Sequence, residues 1–438
     1  MKCKFCQAEM GEGVTLCPAC GQENQILETA VEEAVPAKKK LTSGKLAAIY
    51  IGIIAVLAVL VAFLITGIRN GSINLERKND VTKVSSYTAT DAKVLSKGDK
   101  VVATAGDGKL TNEELQIHYW MYVYNFLGNY GSYVSSYGLD TAQPFDQQSC
   151  IMTDGWNWQQ YFLDAALQDW ALYNALCQEA KAVGYESETD FDAEWDTLLT
   201  SLEETAVSQG FENLEDMVRK DMGAGATLDA YRSYVELVQK GYEYYVHMSQ
   251  TVMPTEEQIQ AYYEDNLELF EENGITDDGS VLVDVRHVLI KVEDSEDEAS
   301  WAACEKKAQD LLDQWVSSGA DQDSFAALAN EHSEDGGSNT KGGLYTNVAE
   351  GDMLEDFNSW CFDESRQPGD YGMVKTLYGY HLMYFVQSQP TWYVYAKNSA
   401  QSELVQETLE ALVEKYHADV KYSRIVLGTV DQSGDSEK

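Results

Sequence analysis

Four segments follow one another in a fixed order: VRHVLIKV (285–292), SEDGGSNTKGGLY (333–345), EGDMLEDFNSWCF (350–362) and KTLYGYHLMYF (375–385). They hold two histidines, His287 and His381, in apolar surroundings, and Asp335 in a glycine-rich stretch. Met353 and Phe357 stand four apart, a spacing that places them on one face of a short helix. Gly379 allows a tight turn ahead of the apolar run carrying His381. Taken singly, each residue has an ordinary explanation: a buried structural histidine, two core side chains, a turn-forming aspartate. Only the ensemble makes them functional candidates.

That ensemble resembles a parvulin-type peptidyl-prolyl isomerase over about a quarter of the chain. The resemblance implies an antiparallel four-stranded sheet with helices, and an activity on X-Pro bonds that uses no cofactor. Position by position it gives catalytic roles to His287, Asp335, Thr376 and His381, with the two histidines side by side on the first and last strands. It places Tyr345, Met353, Phe357, Phe362 and Tyr378 around the substrate, with Met353, Phe357 and Phe362 holding the proline ring. Tyr345 departs from the usual Leu, and GGLYTNVAEGDM departs from the commoner GGDLG form. The residue preference beside proline is therefore open.

The formal charge is −41. Residues 1–68 hold six Lys and six Glu, so the entire excess lies beyond Ile68. Such an acidic surface repels nucleic acid and anionic headgroups, excluding nucleic-acid binding for this portion, and favours solubility beside unfolded chains. With 438 residues the chain has room for roughly two to four domains.

Cys3, Cys6, Cys17 and Cys20 form C-x2-C-x10-C-x2-C. Two close thiolate pairs suit a tetrahedral, structural zinc, and so short a segment needs one to fold; a pair of disulfides is the competing reading. Residues 46–68 run without a charge, long enough as a helix to cross a bilayer. Lys38, Lys39, Lys40 and Lys45 on the preceding flank orient the N-terminus toward the cytoplasm. Residues 25–45 read as a linker and 69–98 as a stalk.

Amphipathic helices are expected over much of 99–280, one carrying Leu163, Ala166, Leu167, Trp170, Tyr173, Cys177 and Ala180 and ending at Gly184. VVATAGDGKLTNEEL, WNWQQYFLDAALQDWALYNALCQEAKAVGY and PTEEQIQAYYEDN resemble the helical chaperone domain of PrsA- and SurA-type foldases. The aromatic run from Tyr119 to Tyr137 offers either a core or a surface for unfolded clients.

The expected architecture is α+β: zinc ribbon 1–24, linker 25–45, transmembrane helix 46–68, stalk 69–98, helical chaperone domain 99–280, inserted parvulin domain 281–388, C-terminal helix and strand returning to the chaperone domain 389–428, and tail 429–438. The function expected is a single-pass, extracytoplasmic foldase isomerising X-Pro bonds in newly exported or unfolded polypeptides, without a catalytic cofactor. The alternatives are a non-enzymatic holdase on a silent parvulin fold and a zinc-ribbon membrane scaffold with a cytoplasmic partner.

Overall fold

The computed structural model describes residues 80–430 apart from Glu188. The zinc ribbon with Cys3, Cys6, Cys17 and Cys20, the linker, the transmembrane segment, the first part of the stalk and most of the tail lie outside the described residues. Among the described residues no helix is long and apolar enough to cross a membrane, and no group of three or more His, Cys, Asp or Glu could hold a metal ion.

The chain divides into two compact units, one comprising residues up to Met253 together with those from Ser402 onward, the other Pro254–Gln401. The first is mainly helical. Its elements are α1 (Asp91–Leu95), β1 (Val101–Ala105), β2 (Gly108–Thr111), α2 (Asn112–Tyr130), α3 (Trp158–Val183), α4 (Phe191–Ser208), α5 (Leu214–Met222) and α6 (Leu228–Thr251). Capping boxes open α2 at Thr111 with Glu114 and α3 at Asn157 with Gln160, each satisfying two otherwise orphaned backbone donors. Gly184 ends α3 in the left-handed region at φ 74°, where a side chain would be strained.

The aromatic run contributes Tyr119, Trp120 and Phe126 to the buried core, where Phe126 meets Phe162 at 5.3 Å and Trp158 at 5.5 Å. Burial of large rings is the strongest apolar term available to this unit. The run is therefore no continuous client surface, although Tyr133 is exposed.

Two sequence expectations change here. The stalk does not extend to 98: Val81, Tyr87 and Val94 are buried, and Tyr87 and Ala89 exchange backbone hydrogen bonds with Leu427. These residues lack helical or alternating periodicity because they are held by pairing with a distant segment. The strand expected within 389–428 forms at Ala418–Val420 (designated β7), not at the apolar run 425–427, and pairs antiparallel with β1 in the order β2-β1-β7. Ile425, Val426 and Leu427 are buried without joining that sheet.

The second unit begins with helices α7 (Glu256–Asp265) and α8 (Leu267–Glu272), so it is wider than the expected 281–388. Thr255 and Gln258 close the capping box at the start of α7. The helix stops at Asp265, where Asn266 interrupts it ahead of α8. There follow β3 (Val281–Lys291), α9 (Glu298–Ser317), α10 (Gln322–His332), β4 (Leu344–Val348), α11 (Glu355–Cys361), β5 (Tyr371–Thr376) and β6 (Gly379–Pro390). Helix α12 (Thr391–Lys415) follows, and its Val405, Leu409 and Leu412 join the core of the first unit.

The four strands of the second unit form an antiparallel sheet in the order β4-β3-β6-β5. Alternation along β3 and β6 sends Val288, Ile290, Tyr380, Leu382 and Tyr384 to one face, where they meet Cys304, Ala308, Leu312 and Trp315 of α9 and Phe325 and Ala329 of α10. The other face carries Val283, Val285, Met383 and Phe385, packed with Val348, Phe357, Cys361 and Val374. Both histidines lie on this second face.

Candidate active site

Strand register brings the two histidines together. His287 stands opposite Met383 and His381 opposite Leu289, which makes the imidazoles diagonal neighbours on one face. Their Nδ1 atoms are 3.0 Å apart and both residues are buried.

The loop after α10 is sewn to β3 on either side of His287. Glu334 N–H donates to the Leu289 carbonyl at 2.8 Å, Leu289 N–H to Ser333 Oγ at 3.1 Å, and His287 N–H to the Gly343 carbonyl at 2.8 Å. Gly343 sits at φ 69°, and a Cβ there would lie 2.2 Å from the His287 carbonyl oxygen. Only glycine lets the loop approach the strand this closely.

The loop thereby holds Asp335 beside His287. Asp335 Oδ2 lies 3.1 Å from His287 Nε2 and accepts a hydrogen bond from Tyr345 OH at 3.0 Å and another from Ser338 Oγ. Ser338 Oγ is also 3.1 Å from His287 Nε2. At the other end of the pair, Thr376 Oγ1 is 2.8 Å from His381 Nε2 and accepts from Tyr378 N–H at 3.2 Å.

An ionised carboxylate only accepts, which sets the direction of the whole chain. With both rings neutral, His287 donates from Nε2 to Asp335 and accepts at Nδ1 from His381. His381 then accepts at Nε2 from the Thr376 hydroxyl. The His287 Nε2 donor holds the Asp335 carboxyl well below the usual carboxylate range against the effect of burial, with the Ser338 and Tyr345 hydroxyls also favouring the anion. Burial and then the neighbouring His287 push His381 down to about 4, so it is a neutral imidazole in ordinary conditions. Burial and the Asp335 charge push Tyr345 up to about 12, which keeps its hydroxyl protonated and able to donate.

An apolar wall stands against this polar chain. Phe357 on α11 meets both imidazoles edge to face at 5.4 Å. Met353 and Phe362 are partly buried in the same apolar cluster. Met353 precedes α11 instead of sharing a helical face with Phe357, because the helix starts at Glu355 with Leu354 as its N-cap.

The structure thus gathers His287, Asp335, Thr376, His381, Tyr345 and Phe357 in direct contact, and sets Met353 and Phe362 in the adjoining cluster. Tyr378 stands apart: its side chain is exposed on the turn, and its backbone N–H is what reaches Thr376. Ser338 was missed in the sequence. It is fully buried between Asp335 and His287, and the one available signal was a serine three residues after an aspartate, a common turn spacing.

Comparison with known proteins agrees with this location. Residues 268–389 match the PPIC-type PPIASE domain family. Foldase protein PrsA of Caldanaerobacter subterraneus subsp. tengcongensis is 28% identical over 208 residues, covering 47% of this chain and 58% of that protein. Foldase protein PrsA 1 of Listeria innocua is 29% identical over 140 residues, covering 30% of this chain and 42% of that protein. The chain thus spans about half the length of these relatives. The crystal structure of PrsA from Bacillus subtilis is 19% identical, with 73% of this chain and 90% of that chain covered, at a TM-score of 0.27, too low for a shared overall arrangement to be read from it. Residues 268–389 therefore carry a domain of the PPIC-type peptidyl-prolyl isomerase kind, in a chain similar to the PrsA foldases.

Proposed function

We propose that this chain is a peptidyl-prolyl cis–trans isomerase of the parvulin type, acting on X-Pro bonds of newly exported or unfolded polypeptides as a foldase. The observation that carries the reading is the buried hydrogen-bonded chain Asp335–His287–His381–Thr376 set against Phe357 within the matched domain.

Rotation about an X-Pro bond meets a barrier of roughly 20 kcal/mol because it breaks amide resonance, and it takes tens of seconds unaided. Catalysis needs no covalent step and no cofactor. It needs a site that strips water from the amide and fits the twisted bond better than either planar form. In this reading Met353, Phe357 and Phe362 hold the pyrrolidine ring, Asp335 faces the carbonyl side of the bond, and the two histidines with Thr376 keep that carboxylate and the cleft floor in register. Tyr345 borders the substrate.

The same reading includes the segments outside the described residues: a zinc-binding ribbon with Cys3, Cys6, Cys17 and Cys20 in the cytoplasm, where a partner would meet it, one membrane-spanning helix, and an acidic extracytoplasmic body. Their support is the cysteine spacing and the uncharged run at 46–68. A tether would concentrate the foldase where chains leave the membrane.

Two activities should be measured separately on the purified protein: the rate of isomerisation of short X-Pro peptides and the suppression of aggregation of an unfolded client. Catalysed isomerisation is the expected result. Aggregation suppression without any rate enhancement would assign the chain to the holdases instead.

A further inference from the structure

We infer that the Tyr345 hydroxyl is a positioning group for Asp335, locking the carboxylate into the chain that runs through His287 to His381, and that this role outweighs any contact of Tyr345 with substrate. The inference rests on the isomerase reading above and gives the site a member that acts through another residue.

Three observations carry it. First, Asp335 Oδ2 is held by three groups from separately anchored parts of the fold: His287 Nε2 from β3, Ser338 Oγ from the loop itself, and Tyr345 OH from β4 at 3.0 Å. The loop and β3 supply two of these donors; the third comes from a different strand and adds a separate anchor to the same carboxylate oxygen. Tyr345 is placed by its pairing with Val285, two residues before His287, so the strand that sets the histidine also sets the tyrosine.

Second, space is reserved for the hydroxyl. A Cβ at Gly337 would lie 2.9 Å from Tyr345 OH, closer than real Cβ contacts allow. Third, the Tyr345 ring lies against His287 with centroids 5.2 Å apart. Its hydroxyl donates to Asp335 and its ring leans on the imidazole, so both ends of this half-buried side chain have partners within the protein.

The test is a kinetic and stability cycle on Tyr345→Phe, Asp335→Ala and the double variant. Tyr345→Phe keeps the ring and removes only the hydroxyl. Its kcat should fall roughly tenfold to a hundredfold, the worth of one hydrogen bond to a charged group, with KM changed less than about twofold. In the Asp335→Ala background the same substitution should cause no further loss of activity or of stability to urea, because its partner is already gone.

A rise in KM with kcat unchanged would overturn the inference in favour of direct substrate contact, as would a full loss persisting in the Asp335→Ala background. A wild-type protein without isomerase activity would remove the proposed function and the positioning role together. The urea cycle would still report the Tyr345–Asp335 coupling, so the two failures are told apart: coupling without activity means a purely structural bond, and neither means the contact is not made.

Discussion

His287 and His381 stack with their ring planes 18° apart and centroids separated by 5.3 Å, joined Nδ1 to Nδ1 and buried. Two imidazoles in this arrangement can share one hydrogen bond only if one ring donates and the other accepts. Protonating the buried pair brings a positive charge and an unmatched donor into a site with little water. The proton inventory of the site is therefore tied to the fold's stability, not only to its chemistry.

Stability should decline in mild acid through His381. Its pKa is lowered from 6.5 to about 4 by burial and by His287. A base with a depressed folded-state pKa is protonated first in the unfolded chain, so stability is complete above about 6.5 and is lost as pH falls toward 4, by about 3 kcal/mol in all. Asp335 is an acid with a depressed folded pKa; its contribution persists through that window and is lost only below the ordinary carboxylate range. Urea unfolding across pH 4–7 should show the loss in wild-type protein and a shallower one in His381→Gln. Identical slopes in the two proteins would refute the assignment.

Thr376→Val keeps the shape of the side chain and removes the hydroxyl from His381 Nε2, its partner at 2.8 Å. A buried acceptor left unpaired costs about 1–3 kcal/mol. The second unit should lose stability in that range, and the isomerisation rate should fall while peptide binding is largely kept. Unchanged unfolding and unchanged rate would show that the hydrogen bond is not made in solution.

Gly343→Ala tests how the loop carrying Asp335 is held. The added methyl would meet the His287 carbonyl oxygen at 2.2 Å, at a residue whose φ is 69°. The loop must withdraw from β3, so a loss of about 2 kcal/mol or more is expected in chemical denaturation, together with a marked loss of activity. A substitution that costs less than about 0.5 kcal/mol would contradict the close approach.

Much of this site was legible in the sequence because it depends on residue type in a fixed order. His287, Asp335, Thr376, His381 and Phe357 could be picked out, and all five meet. Ser338 could not, since nothing distinguishes a buried serine in a glycine-rich loop from an exposed one until the loop is seen stitched to β3. Tyr345 was placed at the substrate by its position in the family pattern, where Leu is usual; its hydroxyl's partner depends on the β3–β4 register, which is set by long-range pairing. Tyr378 was placed at the substrate by its position in the family pattern of KTLYGYH; its side chain is exposed on the turn. In the first unit the helix α3 followed from its apolar stripe, whereas the segment 80–98 did not, because its order comes from backbone pairing with Leu427 and not from its own pattern.

Phe357→Ala separates the apolar wall from the polar chain. Phe357 is buried and packs edge to face on both imidazoles. Its truncation should cost roughly 3 kcal/mol or more through the cavity left behind and should weaken peptide binding, visible as a raised KM. A variant with wild-type KM would mean that Phe357 serves only the core.

The decisive experiment is exchange NMR on a peptide with a single X-Pro bond, recorded with substoichiometric wild-type protein and again with Asp335→Ala. Wild-type protein should produce cis–trans exchange far above the uncatalysed rate, and Asp335→Ala should slow it strongly while binding the peptide almost as well. No acceleration by the wild-type protein, or equal acceleration by Asp335→Ala, would contradict the catalytic role given to the Asp335–His287–His381 chain.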